Sequence, residues 1–369
     1  MKIIYQSTSY IPSYAANSVH VMNMVDEFVK LGHDVKLLAL EGNIEINESD
    51  YQYYGVNDNF EILKNKYNTK FDKIKYILNS LIFARRYKPD LIVSRFPFGA
   101  YILLLFGFKV VLDAHDPIWK GNILKIFFWN IFKNFDNLRI TTNSKSLKQM
   151  FLDENVEPKY TITQAFNGSK VFPLDEYYEL KEKKEFNVGY IGGLYKGRGI
   201  DVILKIAKKI PEVSFHIAGG SKEDIENLKK EYELSSNIIF YGHLEPSKVY
   251  TFRNSCDVLL APYHKSGIEG FGKGNIDQSE YQNPIKIIEY LSAAKPIIAT
   301  DMITIREVLN DENAILIDVD NIEKWVDTIK LLKFDDLEYK KYSKNGYKYF
   351  INNLTWKTRA KNILTIFNL

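Results

Sequence analysis

Short apolar runs alternate along this chain with longer stretches in which apolar residues recur at helical spacing. Lys2 to Gln6 reads as a first strand, and Ser18 to Leu31 as a helix with Val19, Met22, Val25, Phe28 and Val29 on one face. Gly32-His33 closes that helix and Val35 to Leu40 forms the next strand. Leu91-Ile92-Val93, Val110-Val111-Leu112 and Arg139 to Thr142 predict further buried strands. The rhythm then begins again, with strands at Asn187 to Ile191, Ser214 to Ala218, Asn237 to Tyr241, Val258 to Ala261, Ile297 to Thr300 and Ala314 to Ile317, and a helix at Gly199 to Lys209. Such alternation predicts α/β architecture with parallel sheets. Two doubly wound, Rossmann-like halves in tandem are expected, with ligands at the carboxyl ends of the strands.

The boundary is expected between Asn167 and Glu185, because Asn167-Gly168 is a strong turn signal and the Glu/Lys-rich segment after it has no clear period. That gives a first domain over 1–168 and a second over 169–352. Composition agrees: 369 residues, 46% of them hydrophobic, suffice for two cores. A net charge of +3 is too small to argue for nucleic acid. One cysteine, Cys256, allows no disulfide framework and fits a reducing compartment. The first residues lack the apolar core of a signal peptide, and the longest apolar run, Tyr101 to Leu112, is broken by Gly107 and Lys109. A soluble, cytoplasmic protein is expected.

The densest chemistry lies in Asn283-Pro284-Ile285-Lys286-Ile287-Ile288-Glu289. Asn283 suits an N-cap and Pro284 the first helical position, where a missing N–H costs nothing. The amides of Ile285 and Lys286, with the Lys286 charge beside them, would then suit a phosphate. Glu289 projects from the same face one turn on, where a carboxylate can accept from two ribose hydroxyls. Together they suggest a nucleotide-linked ligand, although an ordinary capped amphipathic helix has the same spacing. The glycine-rich turn Gly189 to Asp201 follows a strand and precedes a helix. Gly193 lets backbone approach a ligand, and Lys196 and Arg198 add cations. His243, in the turn Tyr241-Gly242-His243-Leu244, either lies against a base or is solvated.

In the first half, the small residues Ala15, Ala16 and Asn17 occupy the first strand-to-helix turn and allow close approach of a ligand. His20 falls inside the helix and reads as packed. Ala114-His115-Asp116 follows a buried strand directly, so its side chains emerge at the carboxyl end. His115 would contact a ligand there, with Asp116 fixing the ring, or else it is only packed. No His/Cys/Asp cluster has metal-ligand spacing. From Lys64 to Lys88, cations outnumber acids and flank Phe71, Ile74, Ile77, Leu78, Leu81 and Ile82 at helical spacing. This is a face for anionic lipid or a solvated outer helix.

The stretch from Asn283 to Asp301 resembles the signature S-P-x-K-x-x-E-Y-x-A-x-x-x-P-[IV]-[IV]-A-[ST]-D of retaining, family-4-type glycosyltransferases with the GT-B fold. Ala16-Asn17-Ser18-Val19-His20-Val21-Met22 is similar to the A-N-S-[IV]-H-V-M subgroup, and Ala165 to Ser169 to the family's N-G-V-D hinge with Ser169 and Lys170 in place of Val-Asp. The segment 353–369 resembles the closing helix that crosses back to the first domain. The resemblance implies two Rossmann-like domains facing across a cleft. It also implies a UDP- or GDP-sugar donor, a glycan or polyprenol-linked glycan acceptor in surface polysaccharide assembly, and no cofactor or metal. His115, Arg198 and Lys286 would be catalytic. Gly193, Lys196, Arg198, His243, Ile285, Lys286 and Glu289 would hold the donor, and Ala16, Asn17, His115 and Asp116 would face the acceptor.

The chain departs from the pattern in two places. Against the family's G-[RS]-L-x-x-x-K-G turn, Arg198 stands for the lysine and Gly193 for a common arginine, with Lys196 a candidate replacement. The first glutamate of the family's Glu-x7-Glu motif falls on Tyr281; Glu280 is adjacent, and Glu269-Gly270-Phe271-Gly272 has the right surroundings but lies upstream. We expect a branch lacking that glutamate, with His264 to Gln282 as a flap over the donor. A GT-B isomerase of the 2-epimerase kind and a non-catalytic sugar-nucleotide-binding protein are the rival readings.

Overall fold

The computed structural model describes residues 1–367 apart from 122, 157, 159, 161 and 270–276. It divides into two units, Met1–Asn167 with Trp356–Leu369, and Gly168–Thr355.

The first unit is built on strands β1 (Lys2–Ile11), β2 (Asp34–Glu41), β3 (Glu61–Asn65), β4 (Leu91–Ser94), β5 (Val110–Ala114), β6 (Leu138–Thr142) and β7 (Thr163–Gln164). They form one parallel sheet in the order β3-β2-β1-β4-β5-β6-β7. Helices α1 (Ala16–Lys30), α2 (Asp50–Tyr53), α3 (Lys70–Tyr87), α4 (Pro97–Leu105), α5 (Ile123–Phe132) and α6 (Lys145–Asp153) connect them. Burial on both faces explains why β4 and β5 begin as apolar runs, Leu91-Ile92-Val93 and Val110-Val111-Leu112.

The second unit has β8 (Asn187–Ile191), β9 (Ser214–Ala218), β10 (Ile238–Gly242), β11 (Val258–Ala261), β12 (Ile297–Thr300) and β13 (Ile315–Ile317), ordered β10-β9-β8-β11-β12-β13 and again parallel. Its helices are α7 (Ile200–Lys209), α8 (Lys222–Glu231), α9 (Val249–Ser255), α10 (Ile285–Leu291), α11 (Ile303–Arg306), α12 (Ile322–Phe334) and α13 (Asp336–Asn353). The last helix, α14 (Trp356–Leu364), belongs to the first unit, where Trp356, Ala360 and Ile363 join Val21, Val25 and Phe28 of α1 in one core.

Strands β3 and β7 have no counterpart in the sequence expectations. In the half-exposed edge strand Glu61–Asn65, Glu61 and Lys64 flank only two apolar residues, so no apolar run marks it. The basic segment read from Lys64 is corrected accordingly: Lys64 lies in β3, paired with Asp50 at 2.6 Å, and the helix begins only at Lys70. Thr69 and Asp72 form a reciprocal capping box at that start. Cys256 is fully buried.

Gly199 adopts φ +79° as the N-cap of α7, and a Cβ added there would land on the Pro262 carbonyl. Gly32 has φ +87° with open space around it. Gly32→Ala should therefore cost only the left-handed strain of about 1–2 kcal/mol. Gly199→Ala adds a backbone clash and should cost roughly 3 kcal/mol or more. Denaturant unfolding of the two variants side by side checks this; equal losses would mean that no clash exists.

Candidate functional site

In the second sheet the strand order reverses between β8 and β11, so the loops leaving their carboxyl ends open side by side. Backbone bonds gather the neighbouring turns: Gly192 N–H donates to Ala218 O (2.9 Å) and Gly219 N–H to Gly242 O (2.6 Å). Helix α10 is fastened to the same place, since the Ile191 amide donates to the Tyr290 hydroxyl at 2.8 Å.

The start of α10 differs from expectation. Pro284 is the N-cap, extended at φ −68° and ψ 118°, and no side chain caps the helix. The first helical residue is Ile285, not Pro284, because Pro284 keeps an extended ψ and the turn closes one residue later. With only seven residues, α10 has a weak dipole, so charge at this end comes chiefly from side chains.

Those side chains converge. The Lys286 ammonium is buried without a hydrogen-bond partner among the described residues, 4.0 Å from the centre of the Tyr190 ring and 4.5 Å from that of Tyr263. Burial, and then the neighbouring Arg198 charge, push its pKa well below that of an ordinary lysine. Arg198 spans from Tyr263, whose ring its guanidinium faces at 5.4 Å, to the Glu269 carbonyl, to which Nη2 donates at 2.6 Å. Glu289 places Oε2 3.2 Å from Nη1 of Arg253, a residue of α9 that is 2% exposed and faces the Phe172 ring. Lys286, Arg198 and Glu289 thus share one end of the unit. Gly193, whose carbonyl accepts from the Tyr190 hydroxyl at 2.9 Å, and exposed Lys196 lie in the same loop. His243 is exposed beyond β10, at the sheet edge.

Tyr281 is buried and Glu280 exposed. Glu269 contributes its carbonyl to Arg198, while Gly270, Phe271 and Gly272 of the upstream glutamate motif, and with them part of the expected flap, lie outside the described residues. Asp277 ties its neighbours on either side together, accepting from the amides of Gly267, Ile268 and Ser279 at 2.8–3.0 Å.

In the first unit, His115 stands at the end of β5, 15% exposed. Its ring is oriented by Asp113 and Asn143, two partners beyond the expected Asp116: Nε2 lies 3.2 Å from Asp113 Oδ2, and Asn143 Nδ2 lies 3.1 Å from Nδ1. Both ring nitrogens are occupied, and a sugar hydroxyl would have to displace one partner. Asp113 is held by Arg359 of α14 at 2.6 Å and by the Thr141 hydroxyl at 3.0 Å. Burial alone would raise its pKa, but Arg359 and His115 hold it well below the usual carboxylate range. Burial and the Arg95 charge push His115 down to about 4 against the pull of Asp113. Fully buried His20 packs edge-on against His115 and Trp356.

His20, Asp113 and His115 also bring three ligand atoms within 4.8 Å of one another, a grouping no local spacing reveals. The Arg359 guanidinium already neutralises that carboxylate, which opposes a second cation there. Ala16 and Asn17 are exposed at the start of α1, and Asp116 is half-buried. Sequence reasoning missed Asp113, Asn143, Arg253 and Arg359, along with the Tyr190–Tyr263 cage. A carboxylate inside the apolar strand Val110–Ala114 was the one available signal.

Residues 178–349 match the family described as Glycosyl transferases group 1, and residues 18–163 match Glycosyltransferase Family 4. Each unit thus matches a glycosyltransferase family model over most of its length. The chain is 25% identical to the uncharacterized glycosyltransferase MJ1069 of Methanocaldococcus jannaschii, over 100% of this chain and 98% of that protein. It is 21% identical to the capsular polysaccharide biosynthesis glycosyltransferase CapM of Staphylococcus aureus, over 96% and 94%. Among solved structures, Anabaena Alr3699/HepE in complex with UDP-glucose aligns over 100% of both chains with a TM-score of 0.70 at 14% identity. The fold is GT-B.

Because the folded His115 pKa lies below the unfolded value of 6.5, the unfolded chain binds the extra proton first as pH falls. Stability from this site is full above about pH 6.5 and is lost towards pH 4, a loss on the order of 1–3 kcal/mol. Melting temperatures across that window should fall less steeply in His115→Gln, and the His115 ring should keep neutral NMR shifts to near pH 4. Titration near 6.5 would rule the buried neutral ring out.

Proposed function

We propose that the protein is a retaining, metal-independent glycosyltransferase that moves a hexose-type sugar from a UDP- or GDP-sugar to a glycan or polyprenol-linked glycan. Its place is surface polysaccharide assembly at the inner face of the cytoplasmic membrane. The observation that carries this reading is Lys286: a buried ammonium with no hydrogen-bond partner among the described residues, beside Arg198 and one turn before Glu289. A diphosphate would satisfy that ammonium, and the partly exposed Glu289 carboxylate would accept from the ribose diol. The UDP-glucose bound by the HepE neighbour and the capsule role of the CapM relative support the donor and the pathway class.

Negative charge gathers on the departing diphosphate as the sugar approaches an oxocarbenium-like transition state, and fixed cations stabilise that charge more than the ground state. Lys286 and Arg198 do this work in place of a metal. His115, neutral and held at both nitrogens, serves as a fixed wall for the sugar or acceptor, not as a proton carrier. The cations of α3 face anionic lipid. Among the described residues no helix is long and apolar enough to cross a membrane.

Transfer and hydrolysis assays with a panel of UDP- and GDP-sugars test the reading, and a panel without turnover would refute it. Lys286→Ala should lower turnover by on the order of 10² to 10³, the usual effect of removing one aimed electrostatic group. Normal turnover in that variant would take Lys286 out of the site. Glu289→Ala should weaken nucleoside diphosphate binding by roughly 1.5–3 kcal/mol, the scale of charge-assisted hydrogen bonds. Calorimetry decides, and an unaltered dissociation constant would exclude the ribose contact.

A further inference from the structure

Helix α5 has its polarity reversed for an outer helix. Its inner side is fixed by Trp129, which is fully buried and donates to the Val156 carbonyl at 2.9 Å, and by Phe132, stacked on Tyr101 of α4 with ring centres 4.3 Å apart. Its outer side should be polar. Instead Ile123 is 86% exposed, Leu124 56%, Phe127 57% and Ile131 43%, spaced at one helical face.

The apolar face continues over two neighbours. Leu105 and Phe106 at the end of α4 are 57% and 50% exposed, and Arg85 of α3 lies over the Phe106 ring at 4.4 Å. On α3 itself Phe71, Ile74, Leu78 and Ile82 are also exposed. Charge around this face has one sign: α3 carries Lys70, Lys73, Lys75, Arg85 and Arg86 against Asp72 alone, α4 carries no charge, and α5 carries only Lys125. An apolar surface rimmed by cations complements a layer with anionic headgroups above acyl chains.

We propose that the outer face of α5, led by Ile123 and Phe127, is the element that inserts into an anionic lipid surface, while α3 supplies the electrostatic attraction. This rests on the membrane contact proposed for α3. Its test does not use sugar transfer, so either reading can fail alone.

Cys256 is buried, so Ile123→Cys provides the one accessible thiol for an environment-sensitive dye. On vesicles of phosphatidylcholine with phosphatidylglycerol, the dye should shift to the blue and be quenched by acyl-chain nitroxides. Phosphatidylcholine alone should give neither change. Ile123→Ser with Phe127→Ser should reduce co-sedimentation roughly tenfold to a hundredfold, since two large apolar side chains no longer leave water. Arg85→Glu with Arg86→Glu should remove much of the salt-sensitive part. Sedimentation without a dye shift would place the contact elsewhere, and absence of sedimentation would leave no lipid contact; either overturns the proposal. A shift that grows with protein concentration in the absence of lipid would mean that a second copy covers the face, which also overturns it. Unchanged nucleotide affinity in the serine variant confirms that the donor half is intact.

Discussion

Arg359 and Asp113 are both removed from water, 246 residues apart in sequence and joined at 2.6 Å. Taking away either one strands the other's charge in the interior, which costs about 3–5 kcal/mol. The pair also dictates its surroundings. Nη1 of Arg359 reaches the carbonyls of Ala165 and Phe166, so α14 closes the segment after β7 as well as β5. Asp113, kept ionised by that cation, turns the His115 ring and fixes its proton on the nitrogen facing the carboxylate. The first unit is therefore complete only when the last helix has returned to it.

Three buried cations are satisfied to different degrees. Arg359 has a carboxylate and two carbonyls. Arg253 has the Glu289 carboxylate and the face of Phe172. Lys286 has two tyrosine rings, and cation–π attraction of about 2 kcal/mol when desolvated does not replace its hydration. The deficit is local and lies beside glycines that leave room for a ligand: Gly192, at φ +150°, has its missing Cβ 3.2 Å from the Lys286 nitrogen. A polyanion entering there gains more than it would at an ammonium already paired. That ordering makes Lys286, ahead of the other two cations, the centre of the donor reading.

Much of this was legible in the chain because parallel sheets write themselves as repeated buried runs, and because turns at strand ends need glycine or proline. The strands Asn187–Ile191, Ser214–Ala218, Val258–Ala261 and Ile297–Thr300 appear where the apolar runs place them. What escaped was of two kinds. Edge strands β3 and β7 bury too little to leave a pattern. Partners of the site residues come from distant elements: Arg253 meets Glu289 across α9 and α10, and Asn143 reaches His115 from beyond β6. Periodicity reports which face of an element is buried, not which element covers it. The sequence favours Asp116 over Asp113 for that reason, since adjacency to His115 is the only proximity it displays.

The two carboxylates held by arginine differ in what they have left to give. Asp113 spends Oδ1 on Arg359 and Thr141 and Oδ2 on His115, with His20 at 3.5 Å from the same oxygen. It is saturated, so its effect on a ligand passes through the ring it holds. Glu289 meets Arg253 at 3.2 Å through Oε2, at a residue whose side chain is 24% exposed. A carboxylate already held by a buried arginine has lost part of the rotational freedom that binding a ligand would otherwise cost. Arg253 would therefore lower the entropy cost of a ligand contact at Glu289, whereas the stronger clamp on Asp113 leaves that carboxylate to act through the ring it holds.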